Sequence, residues 1–139
     1  MTNLLETLVP SLELCKKIPM GCFSDSALVF ASDYTQENPS WTVIPRVQLG
    51  SMDYAEWFNA PTLEEIFAEI DAIGRCWPSA QYRENTWRVE CLYLPGYWEY
   101  DRSPCMYDAE CNRNAATAAL KLWIKIKEQQ HAYLTIGRP

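Results

Sequence analysis

Two hydrophobic periods run along this chain, one of helical spacing and one of alternation, and their succession sets out its elements. After Ala60-Pro61, the residues Leu63, Ile66, Phe67, Ile70 and Ile73 recur at three- and four-residue steps and form one apolar helical face. Thr62 stands at the N-cap, and Glu65 three residues later is placed to return a hydrogen bond to it, a capping box. Gly74 then suits a left-handed cap and Pro78 prevents continuation. A first helix is predicted over Leu4–Ile18 from Leu5, Leu8, Leu12 and Cys15. Pro10 either kinks it or opens a second helix, and Pro19 and Gly21 stop it. A buried strand is predicted over Ser26–Ser32, a loop over Tyr34–Ser40, and a second strand over Trp41–Ile44, the two strands forming a hairpin. Pro45 donates nothing to a ladder, so that second strand belongs at an edge or bends there.

Further along, Trp87, Val89, Cys91 and Tyr93 alternate with Arg88 and Glu90, the pattern of a strand with one buried face. Leu94-Pro95-Gly96 makes a turn, and Tyr97-Trp98-Glu99-Tyr100 reads as the returning strand. Asp101–Asn114 reads as irregular and polar. Ala115–Gln130 is rich in good helix formers, with Ala116, Ala119, Leu120, Trp123 and Ile126 on the sheet-facing side. The order is helix, two strands, helix, two strands, helix. The expected fold is therefore a single α+β domain spanning residues 1–139, with about four antiparallel or mixed strands packed by about three helices.

Composition leaves that picture intact. A chain of 139 residues with 48% hydrophobic and 22% charged residues has enough core to fold without metal or disulfide. The six cysteines (Cys15, Cys22, Cys76, Cys91, Cys105 and Cys111) show no C-x-x-C spacing, and His131 is the single histidine, so free and mostly buried thiols are expected, with no zinc. No metal and no cofactor are expected. The net charge of −6 argues against general nucleic-acid binding. Only Lys121, Lys125 and Lys127 gather, and in the predicted last turns they complement the helix dipole. No apolar run approaches the ~20 residues of a membrane span, and Met1–Glu6 lacks the basic start of a signal peptide, so no membrane partner and a cytoplasmic location are expected.

Four segments taken in order carry a resemblance: Val9-Pro10-Ser11-Leu12-Glu13-Leu14-Cys15-Lys16-Lys17-Ile18, Asp25-Ser26-Ala27-Leu28-Val29, Ala60-Pro61-Thr62-Leu63-Glu64-Glu65-Ile66 and Thr117-Ala118-Ala119-Leu120-Lys121-Leu122-Trp123-Ile124. Together they resemble a group of small uncharacterised proteins encoded by phages and prophages of gut bacteria. The resemblance runs from about Val9 to Lys127 and is loose over Arg75–Asn114. That group has no established activity, so no functional residue carries over. What the resemblance implies is origin: mobile-element cargo working inside a bacterial cell. The partner expected, from the acidic balance, the aromatic stretch and the lack of a catalytic constellation, is a host or phage protein.

Catalytic chemistry has few footholds. A Ser or Cys nucleophile needs a positioned base, and His131 falls in the expected frayed end of the last helix. Glu65 and Glu69 lie one turn apart with Glu64 and Asp71 nearby, on what reads as a solvated helix face. The five glycines are isolated, which excludes a phosphate-cradling loop. The candidate interaction site is Tyr93–Tyr107, where Tyr97, Trp98, Tyr100, Tyr107 and Arg102 offer the residue types that anchor protein interfaces. The competing reading places those aromatics in the core of the last strand. The function expected is an accessory role through protein–protein binding without catalysis. The alternatives are a nucleic-acid or replication accessory protein using Lys121, Lys125 and Lys127, and an enzyme built around Cys15, Cys91 or Glu65.

Overall fold

The computed structural model describes residues 4–33, 40–50, 54–72, 78–93 and 105–136. Among them are three α-helices and two three-stranded antiparallel sheets, an α+β arrangement. The expected sheet of about four strands is instead two separate sheets, because three strands were not foreseen. The chain forms two compact units, residues 1–65 and 66–139, dividing within the second α-helix.

In the first unit, Pro10 interrupts the expected long helix. A 3-10 turn covers Leu4–Leu8, and the α-helix shrinks to α1 (Leu12–Cys15), whose N-cap Ser11 accepts a hydrogen bond from the Leu14 amide at 3.4 Å. Strand β1 (Leu28–Asp33) lies between β2 (Trp41–Pro45) and β3 (Tyr54–Ala60). Residues Leu28 to Ser32 are all buried, as befits the central strand. The predicted hairpin of β1 and β2 forms, and Pro45 sits on an edge strand where no ladder donor is missed. Across the sheet, Phe30 stands opposite both Val43 and Phe58, and Trp41 meets Phe58 at 5.4 Å between ring centroids. The N-terminal segment packs on β2 and β3, with the Lys16 ammonium 5.4 Å from the centre of the Trp41 ring. Where β1 meets β3 the register slips between Ala31 and Asp33, so β3 carries an extra residue, a bulge. The buried Ser32 hydroxyl repairs the ladder there, accepting from the Glu56 amide at 3.2 Å.

Helix α2 (Leu63–Ala72) opens on the predicted capping box. The Glu65 carboxylate accepts from the Thr62 amide at 2.8 Å, and the Glu65 amide donates to the Thr62 hydroxyl at 3.4 Å. Ile66 and Ile70 are fully buried, as the apolar stripe required.

The second unit holds β4 (Ser79–Arg83), β5 (Thr86–Tyr93) and β6 (Cys105–Cys111), with β5 in the centre. The alternation read in β5 is observed: Val89 and Cys91 are buried while Arg88 is exposed. Its neighbours are β4 and β6. The segment Tyr97–Tyr100, expected as the partner, lies outside the described residues. Residues 105–111, expected to be irregular, form a strand. Helix α3 (Ala115–Ile136) packs on β5 and β6. Asn114 caps it, accepting from the Thr117 amide at 2.8 Å. Every residue from Asn114 to Leu120 is buried.

Candidate functional site

Of the five residues that the sequence singled out for interaction, Tyr97, Trp98, Tyr100 and Arg102 lie outside the described residues. Tyr107 is part of β6, its backbone paired with Cys91. The structure therefore brings no described side chains together at that place. It does assemble a site elsewhere, around Arg46 in the first unit.

Arg46 follows β2 and opens a 3-10 turn over Arg46–Gly50. Its amide donates to the Ala27 carbonyl at 2.8 Å, which fixes the backbone beside the entry to β1. The half-buried side chain then donates from Nε to the Ser26 carbonyl at 2.6 Å and from Nη2 to the Ser26 hydroxyl at 3.0 Å. Nη2 also donates to Oδ1 of Asn59, and Nδ2 of Asn59 in turn reaches the Cys22 carbonyl at 3.2 Å. Every one of these acceptors is neutral, so the guanidinium is held by geometry while its charge stays unneutralised by them. Asn59 and Trp57 share a face of β3, being two residues apart. The guanidinium carbon accordingly sits 5.4 Å from the centre of the Trp57 ring, in cation–π range.

Trp57 nevertheless keeps 47% of its surface exposed, and Val47, next to Arg46, keeps 88%. Met20 is fully exposed at the tip of a turn over 19–22, closed by the Cys22 amide on the Pro19 carbonyl at 3.1 Å. Gly21 has φ of +91° at the third position of that turn, the conformation a type II turn demands and glycine supplies without strain. The turn is tied to the same hub through Asn59. Next along, buried Phe23 holds a positive φ of 56°, sparsely populated for a bulky residue. One strained anchor and four side-chain hydrogen bonds from Arg46 and Asn59 thus tie together the segments that carry the exposed Trp57, Val47 and Met20.

Of the residues proposed for catalysis, Glu65 has other employment. Both oxygens of Glu65 are spent: Oε1 accepts at the helix cap and Oε2 accepts from the Ala27 amide at 3.0 Å. Cys15 and Cys91 are buried, the Cys15 thiol donating to the Pro10 carbonyl at 3.8 Å, and Cys22 and Cys111 are half-buried thiols. His131 lies within α3. No group of three or more candidate metal ligands occurs among the described residues. No described helix is long and apolar enough to cross a membrane.

The basic cluster also differs from expectation. Since α3 continues to Ile136, Lys121, Lys125 and Lys127 lie mid-helix rather than in its last turn. Lys121 donates to the Glu110 carbonyl at 3.3 Å, Lys125 to the Asp108 carbonyl at 2.7 Å, and Lys127 sits 5.7 Å from the centre of the Trp123 ring. On the charged face of the sheet, Arg88 pairs with Asp108 at 2.6 Å and Glu90 at 3.7 Å. The Asp108 hydrogen bond and charge push the Arg88 guanidinium further above its usual range, where it is charged at any accessible pH.

No family model matches this chain, and no curated protein or solved structure matches it.

Proposed function

We propose that this protein works by binding another protein through the surface at Trp57 and Arg46, with the exposed Val47 and Met20 carried by segments bonded to the same hub. The observation that carries the reading is Trp57, half-exposed yet held in place by a guanidinium that is itself locked by hydrogen bonds. Trp and Arg are the residue types most enriched among interface hot spots, and a pre-positioned ring loses little entropy on binding. The bulge beside Ser32 lies next to Trp57 on β3, and bulges commonly redirect side chains at such places. The role is that of an accessory protein of phage or prophage origin, acting in the bacterial cytoplasm on a host or phage protein, without catalysis of its own. The commitment of Lys121 and Lys125 to main-chain carbonyls favours this reading over a nucleic-acid one.

The test is affinity capture from a bacterial lysate with the wild type and Trp57→Ala side by side. A protein retained by the wild type and lost with the variant is expected. Identical captured sets would refute the reading.

A further inference from the structure

The two sheets have four edge strands, and three of them carry a device that discourages further pairing. Strand β2 ends in Pro45, and β3 is bulged. Strand β6 is capped by lysines, and the geometry of that cap fixes the pairing of the whole second sheet. Arg83 and Thr86 close a two-residue hairpin, so they form a hydrogen-bonded pair. Alternation then directs the main-chain groups of Thr86, Arg88 and Glu90 toward β4. Asp108 and Glu110, opposite Glu90 and Arg88, must therefore aim theirs away from β5, out of the sheet edge. Their carbonyls are the two that Lys125 and Lys121 cover. Helix positions four apart are separated by about 6 Å. Alternate strand carbonyls are separated by about 6.8 Å, so one lysine serves each.

Among the described residues, nothing covers strand β4 in this way. By the same alternation, Ala80 and Tyr82 point their amides and carbonyls outward, and Ser79, Gln81, Tyr82 and Arg83 are all exposed. We propose that this edge pairs antiparallel with the same edge of a second copy of the chain, about a two-fold axis at Gln81. In that register Ala80 faces Tyr82 of the second copy and the reverse, each pair exchanging both main-chain bonds. Gln81 faces Gln81 and Ser79 faces Arg83, so no like charges oppose. The exposed Tyr82, its ring tilted against that of Trp87 at 4.9 Å between centroids, lies over Ala80 of the second copy and extends the apolar face across the junction. The inference rests on a different surface from the Trp57 site and stands or falls independently of it.

Sedimentation velocity over a micromolar to millimolar concentration series tests it. The wild type associates to a dimer. Gln81→Glu and Gln81→Lys each place like charges across the axis and weaken dimerisation roughly two- to fivefold, the cost of a like-charged cross-strand pair. An equimolar mixture of the two variants recovers or exceeds wild-type association. Ala80→Pro, at an outward amide where an edge strand tolerates proline, abolishes association. A wild type that stays monomeric throughout overturns the proposal, as does a dimer indifferent to both Gln81 variants. The charge swaps decide the matter even if Ala80→Pro fails to fold.

Discussion

Arg46 shows how much one side chain organises in the first unit. Its fork reaches the carbonyl and hydroxyl of Ser26 and the amide oxygen of Asn59, joining the approach to β1, the end of β2 and strand β3. A lysine has the charge but not the planar pair of donors. Arg46→Lys should therefore destabilise the protein by roughly 1–2 kcal/mol, through hydrogen bonds lost at Ser26 and Asn59. Urea unfolding would show this as a lowered midpoint with an unchanged slope, whereas an unchanged midpoint would mean the fork is dispensable. Nothing in the sequence announced this residue, since its partners are distant and are neutral polar groups. Trp57 offered a fainter sign. It adjoins Phe58, and neighbouring strand residues face opposite sides, so two large aromatics in succession cannot share one core.

Among the elements, legibility followed the strength of local signals. Helix α2 could be read because its cap and its stripe coincide, and Glu65 joins a cap worth about 1 kcal/mol to a tertiary bond at Ala27. Strands β1 and β5 could be read from their apolar content. Three strands could not. The bulge breaks the alternation of β3, and β4 is exposed nearly throughout, so it has no buried face to reveal it. Strand β6 does alternate, but Ala109 and Cys111 are weak markers beside Asp108 and Glu110. The β4–β5 hairpin was hidden for another reason: its turn residues, Glu84 and Asn85, have φ of 54° and 60° without a glycine. Asparagine tolerates that conformation better than glutamate. Glu84→Asn should stabilise the hairpin by roughly 0.5–1 kcal/mol, read as a higher denaturation midpoint. A lower midpoint would show that the Glu84 side chain contributes something its backbone strain does not suggest.

At the scale of the whole molecule, the fold class was legible and the site was not. Alternating strand pairs and helices announced an α+β protein, because periodicity reports which residues meet water and which do not. The partition into two three-stranded sheets depends on pairings between distant segments, and these leave no local trace. The proposed interaction surface, likewise, draws on residues from the turn at 19–22, the segment just after β2 and the middle of β3, which only the fold gathers. The claim that this surface binds a protein is tested most directly by calorimetric titration of the captured partner with the wild type and with Trp57→Ala. Removing a hot-spot tryptophan costs about 2 kcal/mol or more, so binding should weaken by well over tenfold while the melting temperature moves only slightly. Equal affinity for the two proteins would contradict the account.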